Sequence, residues 1–141
     1  MTFLVDTSVW WLALRRDATA VEPAVQALKD ALLGADVVVT TGLVLQELLQ
    51  GFAGPKAGEQ IVERFASLPM LYPDRDDHVE AAKLRNLCRR AGVQFGTVDA
   101  LLAQLCIRHG LVLLSTDDDF ALASRHCPLR VWSPTRVARK R

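Results

Sequence analysis

The sequence predicts an α/β fold in which a mainly parallel sheet is covered by helices on both faces. Short apolar segments typical of buried strands alternate with longer segments whose apolar residues recur at helical spacing. This alternation implies parallel pairing through right-handed crossovers. The chain has 141 residues, half of them hydrophobic, which suits one domain with a substantial core. No internal repeat, low-complexity segment or linker divides it.

The first half of the chain begins with an apolar run that ends in Asp6, which indicates a buried strand with an acid at its carboxyl end. A later helical pattern has Pro23 near its start and Gly34 just after its end. Gly51 and Gly54 close a further helix. The predicted elements are a strand at 2–5, helices at 9–14 and 21–33, a strand at 36–40 and a helix at 43–52.

The second half continues the same alternation. Apolar residues from Ile61 to Leu68 recur at helical spacing, and Gly92 and Gly110 each follow a helical pattern. Thr97 stands where a helix cap is expected. The predicted elements are a helix around 61–68, a short strand at 70–72, a helix at about 76–91, an apolar helix that follows the Thr97 cap and stops at Gly110, a strand at 111–114, a helix through Phe120 and a strand around 129–132.

Four acids occur within or beside otherwise apolar segments: Asp6, Glu47, Asp99 and Asp117. In open parallel sheets, sites form beyond the carboxyl ends of the strands, so we expect these acids to converge at one edge. Burying several ionised carboxylates together is unfavourable unless cations neutralise them. Each acid alone is more often a helix cap, a turn residue or a salt-bridge partner. The coincidence of four in this order favours a site.

The ligand types available favour a hard divalent cation. The three histidines have no ligand spacing, and the three cysteines include no CxxC pair. Oxygen ligands therefore predict Mg²⁺ or Mn²⁺ rather than zinc. An odd number of cysteines fits buried or inert thiols, and no apolar run is long enough to span a membrane, so we expect a cytoplasmic protein.

The ordered motifs resemble the PIN-domain family, and within it the VapC toxins. Residues 3–10 (FLVDTSVW) resemble the family's opening strand and acid signature, and residues 45–51 (LQELLQG) resemble its Glu-bearing helix. Residues 97–103 (TVDALLA) resemble the helix with the third acid, and residues 115–120 (STDDDF) resemble the strand-end motif. Each motif is weak alone, but together they span most of the chain.

The resemblance implies a PIN-like, Rossmann-like three-layer fold with about five strands and a Mg²⁺- or Mn²⁺-dependent endoribonuclease. By position, Asp6, Asp99 and Asp117 would ligate metal. Glu47 would complete the acidic pocket, and Asp119 would add an outer ligand or a hydrogen bond. Hydroxyl side chains beside these acids are suited either to orienting carboxylates or water, or to serving as turn and cap residues: Thr7, Ser8 and Thr116.

The resemblance also implies partners. A cognate VapB-type antitoxin would cover the acidic pocket with an Arg-bearing segment, above a toxin homodimer, and RNA would be the substrate. We assign residues 1–135 to the nuclease domain and 136–141 to a basic tail. The apolar surface available to an antitoxin, part of which must belong to the core, comprises Trp10, Trp11, Leu45, Leu49 and Phe52.

Charge placement has to decide how RNA is held, because the net charge is only +1. Basic residues should flank an acidic pocket that would otherwise repel RNA. A solvated helix face or a disordered terminus is the alternative reading of the same residues. The candidates are Arg15, Arg16, Arg89, Arg90, Arg136, Arg139, Lys140 and Arg141.

Three other classes share features with this sequence. A haloacid-dehalogenase-type phosphatase needs a second Asp two positions after the strand-end Asp, and that position is Ser8. A receiver domain needs a Lys at a late strand end, which the chain lacks. A non-catalytic PIN-like binding or scaffold module remains the alternative, although the presence of all four acids argues against lost activity.

Overall fold

The computed structural model describes residues 1–15 and 22–134, and its centre is a five-stranded sheet. The strand order is β3-β2-β1-β4-β5, and every neighbouring pair is parallel. The α/β prediction with about five parallel strands is therefore confirmed. The strands are β1 (Thr2–Val5), β2 (Val37–Thr41), β3 (Met70–Leu71), β4 (Val112–Leu114) and β5 (Arg130–Val131).

Seven helices accompany the sheet within the described residues. The α1 helix contacts α2 and α3, the α3 helix contacts α4, and the α5 and α6 helices pack closely against each other. The helices are α1 (Thr7–Leu14), α2 (Pro23–Leu33), α3 (Gly42–Gly51), α4 (Pro55–Phe65), α5 (Arg75–Arg90), α6 (Thr97–His109) and α7 (Asp118–Ala123).

The hydrophobic core is centred on β1, which pairs with β2 on one side and β4 on the other. Leu4 and Val5 are fully buried, as are Leu113 and Leu114 on the neighbouring strand. Continuous apolar runs of this kind are expected in a parallel strand that is covered on both faces. The core fixes the strand register, and the register fixes where each strand ends.

Several predicted boundaries are wrong by a few residues. Thr97 is the first residue of α6 rather than its cap, because Gly96 occupies the cap position and makes no side-chain bond. Leu68 lies beyond the end of α4, which stops at Phe65. Asp36 precedes β2, where its carboxylate accepts a hydrogen bond from the amino terminus at 3.0 Å. The start predicted for the second helix, at 21, falls outside the described residues.

The two tryptophans of α1 are buried or partly buried, and so are the three cysteines. Trp10 is buried against Phe65, with ring centroids 4.8 Å apart, and Trp11 packs on Phe52 at 4.4 Å. Each of the two tryptophans thus packs against a ring within the fold. The three cysteines are free; Cys88 and Cys106 are buried and Cys127 is half-buried. No helix in residues 1–15 and 22–134 combines the length and apolarity needed to cross a membrane.

Asp77 on α5 is a buried acid outside the group predicted from the sequence. Its Oδ2 receives a 2.5 Å hydrogen bond from Arg108 on α6, and its Oδ1 receives one from Gln104. It also completes a capping box with Asp74 at the start of α5. Burial raises the pKa of Asp77, but these contacts outweigh it and the net pKa is lowered. The residue therefore joins α5 to α6 as a structural ion pair.

Candidate active site

The carboxyl edge of the sheet gathers acidic side chains because all five strands are parallel. Asp6 directly follows β1, and its backbone N–H donates to the carbonyl of Leu114 at the end of β4, at 2.8 Å. The α6 helix ends at Gly110, in a left-handed turn that leads into β4 at the opposite edge. The amino terminus of α6, with Asp99, therefore returns to the edge where Asp6 lies.

Asp6 is the one buried member of the acidic group, with 8% of its surface exposed. Ser8 Oγ and Ser115 Oγ both donate hydrogen bonds to its Oδ2, each at 2.8 Å. The backbone amides of Thr116 and Asp117 in turn donate to these two hydroxyls, at 3.2 and 3.0 Å. Because each hydroxyl accepts a backbone N–H, its own proton is directed to the carboxylate.

Glu47 and Asp117 are exposed, which corrects the expectation that these acids are buried among apolar residues. Glu47 Oε1 accepts a hydrogen bond of 2.7 Å from Thr7 Oγ1, which ties α3 to α1. Asp117 caps α7, and its Oδ1 accepts the backbone N–H of Asp119 at 2.9 Å. Asp117 thus has one of the roles expected of such an acid on its own, that of a helix cap, and it has this role at the edge of the same site.

Asp99 is half-buried, and its pKa is affected by the charges of the other acids. Burial raises its pKa above the ordinary value, and the negative charges of Asp6 and Asp117 raise it further. The backbone amide of Gly96 acts in the opposite direction, and Glu47 adds a smaller upward effect. Three of the predicted acids, Asp6, Glu47 and Asp117, therefore lie near enough to Asp99 to raise its pKa. The fifth, Asp119, has no such effect among the causes of this shift.

The acids share a pattern of hydrogen bonding. In the hydrogen bonds described for residues 1–15 and 22–134, the Asp6, Glu47 and Asp117 side chains each accept through a single carboxylate oxygen. The ion pairs described for residues 1–15 and 22–134 join other acids to their cations, namely Asp36, Asp74, Asp77 and Glu80. Each of the three side chains is thus oriented by the protein while one oxygen stays available.

The group fits an open cation site better than a closed one. Within residues 1–15 and 22–134, no three His, Cys, Asp or Glu side chains converge tightly enough to enclose an ion by themselves. Mg²⁺ is usually held by one or two carboxylates together with waters and substrate phosphates. An acidic edge with oriented carboxylates and free oxygens is compatible with that mode of binding.

Hydroxyl groups position the acids, and the sequence identified only part of this set. Thr7 and Ser8 bind carboxylates as proposed, whereas Thr116 contributes its backbone amide. Ser115 was not singled out, although it bonds Asp6 and accepts the amide of Asp117. Its place directly after β4 was the available signal, because a residue there faces the carboxylate that follows β1.

Of the basic residues predicted to flank the site, Arg15, Arg89 and Arg90 lie in the described part of the chain and are exposed. Arg89 belongs to the end of α5 close to the start of α6. Arg16 and the tail residues Arg136, Arg139, Lys140 and Arg141 lie outside the described residues. The histidines are exposed, as expected for residues without ligand spacing: His78, His109 and His126.

The fold and the acidic edge together define a class of protein. Residues 3–125 match the family model of the PIN domain, and the chain belongs to the PIN-domain family.

Solved structures with the same fold include toxin–antitoxin proteins. VapBC-1 from nontypeable Haemophilus influenzae aligns over 94% of this chain and 98% of its own, with a TM-score of 0.72 and 17% identity. VapBC2 from Rickettsia felis, bound to a promoter DNA fragment, aligns over 94% of this chain and 100% of its own, with a TM-score of 0.72 and 16% identity. VapC20 from Mycobacterium tuberculosis, a toxin that cleaves the sarcin–ricin loop, aligns over 86% of this chain and 94% of its own, with a TM-score of 0.68 and 20% identity.

Proposed function

We propose that the protein is a Mg²⁺- or Mn²⁺-dependent endoribonuclease and the toxin of a VapBC-type toxin–antitoxin pair. The observation that carries the proposal is the arrangement of Asp6, Glu47 and Asp117, each held through one oxygen with the other free, around the half-buried Asp99. Such a group concentrates negative charge, and none of its members is in an ion pair described for residues 1–15 and 22–134. A divalent ion would supply the balance.

In this proposal Asp6, Asp99 and Asp117 hold the metal, Glu47 completes the pocket, and Asp119 contributes from the outer side. When bound, Mg²⁺ or Mn²⁺ supplies Lewis acidity toward the scissile phosphate and the attacking water. The chain's own residues fix the geometry. Two serine hydroxyls hydrogen-bond to the Asp6 carboxylate and restrain its orientation, and the Thr7 hydroxyl does the same for Glu47.

RNA as the substrate is supported by the shared fold with a toxin that cleaves the sarcin–ricin loop. A VapB-type antitoxin is supported by the neighbours that are VapBC complexes. An Arg from the antitoxin would bind the free carboxylate oxygens bidentately and take the place of metal and phosphate. We further propose a toxin homodimer that acts in the cytoplasm, with residues 1–135 as the nuclease domain.

An apolar anchor for the antitoxin is available near α1 and α3. Four side chains of this surface are only partly buried: Trp11, Leu45, Leu49 and Phe52. Trp10 is buried in the core, so it cannot belong to the anchor. The partly buried side chains can lose further surface to a partner helix, which is the usual mode of an amphipathic helix in a groove.

The nuclease proposal is tested with purified protein freed of antitoxin and a single-stranded or looped RNA. We expect cleavage with Mg²⁺ or Mn²⁺, loss of cleavage with EDTA, and loss in Asp6→Asn and Asp99→Asn. Asp118→Asn is the matched control, because it removes an exposed carboxylate one residue after Asp117. Cleavage that survives thorough chelation would exclude the metal mechanism. Absence of any cleavage would favour the non-catalytic binding module.

The toxin proposal is tested by expressing the chain with and without the neighbouring small open reading frame. We expect growth arrest from the chain alone, with rescue by coexpression and by Asp99→Asn. Normal growth with an active chain, together with no copurifying small protein, would remove the toxin assignment. The nuclease assignment would then still be judged by the cleavage assay.

A further inference from the structure

The loop between α5 and α6 forms a small basic pocket beside the acidic edge. Its volume is about 150 Å³, enough for a phosphate group but not for a nucleotide base with its sugar. Two arginines supply positive charge, and residues of the loop supply the rest of the wall. The lining residues are Arg85, Arg89, Gly92, Val93, Gln94 and Phe95.

Arg85 is a half-buried cation without an acidic partner among the described residues. Its Nε donates to the carbonyl oxygen of Phe95 at 2.8 Å, which holds the guanidinium plane against the loop. No carboxylate in the described part of the chain forms an ion pair with it. Partial burial of a charge is unfavourable unless an opposite charge or water compensates it. The terminal amino groups of Arg85 therefore remain available to an anion.

The other groups of the pocket are also available. Arg89 is exposed, and one of its amino groups binds the side chain of Asn86 at 3.0 Å, which steadies it without neutralising it. At the end of α5 the chain reverses at Gly92, where φ is 84°. The backbone amides of Gln94 and Phe95, just after this turn, donate no hydrogen bond to the described residues. Successive free amides of this kind suit an anion.

The pocket lies next to the proposed catalytic acids in two ways. Gly96, which follows the loop, caps α6, and a Cβ at this glycine would lie 3.6 Å from Asp99 Oδ2. On its other side, the ring of Phe95 packs on Phe120 of α7, with centroids 5.4 Å apart. Asp117 caps that same helix. The loop is therefore held between two acid-bearing helix starts.

We propose that this pocket binds a backbone phosphate of the RNA strand adjacent to the phosphate that is cleaved, an inference that rests on the proposed function. An acidic edge repels RNA, so cationic contacts close to it are needed to hold the strand. The planar guanidinium of Arg85 can present two parallel donors to phosphate oxygens, and Arg89 adds a second charge. Arg90, which does not line the pocket, takes no part.

Binding is measured with a fluorescent single-stranded RNA in buffer with Mg²⁺, using Asp99→Asn as the non-cleaving background. Adding Arg85→Gln and Arg89→Gln should weaken binding about tenfold near physiological salt and reduce the slope of log Kd against log salt by about 0.7 for one lost phosphate contact. Lys29→Gln with Arg64→Gln is the matched control, since both are exposed cations on helices that lead to the opposite edge of the sheet.

The single Arg89→Gln variant guards against loss of binding caused by misfolding, because it leaves the bond between Arg85 and Phe95 intact. It should still reduce the slope of log Kd against log salt. If the Arg85 and Arg89 double variant binds RNA as tightly as the Lys29 and Arg64 control pair, the proposed phosphate pocket is wrong, even if the wild type cleaves RNA. Loss of binding only in the pocket variants, without metal-dependent cleavage by the wild type, would support the pocket and contradict the nuclease proposal.

A second readout uses inorganic phosphate as the probe. Its titration should shift the backbone amide signals of Gln94 and Phe95 in the NMR spectrum of the wild type and not of the double variant. Phosphate shifts without any effect of the variants on RNA binding would overturn the assignment to RNA and leave an adventitious ion only.

Discussion

The Oγ atom of Ser115 donates a 2.8 Å hydrogen bond to Oδ2 of Asp6, joining residues 109 positions apart in the chain. The bond connects the ends of β1 and β4, which are neighbours in the sheet. It fixes one oxygen of the buried acid and leaves the other free. The carboxylate is thus oriented before any ligand arrives.

Replacing Ser115 by Ala should lower activity without unfolding the protein. The Asp6 carboxylate would keep only the Ser8 bond and would sample other orientations. Removing a group that orients a metal ligand typically costs between about 10- and 100-fold in metal affinity or activity. Titration of RNA cleavage with Mg²⁺ measures this. Ser67→Ala, which removes an exposed hydroxyl bonded only to a helix-end carbonyl, is the control. Equal Mg²⁺ dependence in both variants would contradict the role of Ser115.

Binding of a divalent cation should raise thermal stability. A ligand that binds only the folded state adds about 2.7 kcal/mol when present at 100 times its Kd. We expect the melting temperature of the wild type to rise with Mn²⁺ or Mg²⁺ and to fall back with EDTA. Asp6→Asn and Asp99→Asn should lose most of this increment, while Asp118→Asn should keep it. A metal response that is the same in all four proteins would place the cation elsewhere.

Asp99→Asn should leave the chelated protein as stable as the wild type or make it more stable. The raised pKa of Asp99 means that its ionised form is disfavoured in the fold. The wild type therefore has its full stability from this group below the ordinary pKa of 3.8 and loses it as pH rises through the folded value. The amide cannot ionise, so the advantage of the variant should grow towards neutral pH.

Urea unfolding in EDTA at pH 5 and pH 7 measures the difference. A loss of more than about 1 kcal/mol in Asp99→Asn, comparable to a broken hydrogen bond, would mean that the acid is a structural partner, as a helix cap would be.

Asp77→Ala should destabilise the fold by about 2 to 4 kcal/mol, because it leaves Arg108 without its buried partner and removes half of a capping box. Glu80→Gln, which touches only the exposed pair with Lys83, should change stability by less than about 0.5 kcal/mol. Chemical denaturation compares the two. A small effect of Asp77→Ala would show that Arg108 is compensated by Asp74 alone, 3.2 Å away.

Acid sensitivity should also depend on Asp77. Its pKa is lowered in the fold, so its contribution is present above the ordinary value of 3.8 and disappears as pH falls through the folded value. The wild type should therefore lose stability in this acid range, and Asp77→Asn should have a flatter profile there. Parallel profiles for the two proteins would contradict a lowered pKa.

Local sequence determined the elements and the identity of the acids. Strand β1 was predictable because a continuous apolar run fits a strand buried on both faces, and the helix ends at Gly92 and Gly110 because both glycines adopt a positive φ. Asp6 and Asp117 were predictable because each follows such a run. A cap such as Gly96 was missed because glycine leaves no side-chain signal, and the neighbouring Thr97 offered a false one.

Only the tertiary structure decided which acids are balanced and which are not. Asp77 and Asp99 both stand in the first turn of a helix, yet Asp77 meets Arg108 and has a lowered pKa, whereas Asp99 meets other carboxylates and has a raised one. The same holds for Ser115, whose role exists because β1 and β4 are adjacent, and for Arg85, whose pocket exists because α5 reverses into α6. Sequence specifies the charge of each group, but the field that acts on it comes from residues that folding brings near.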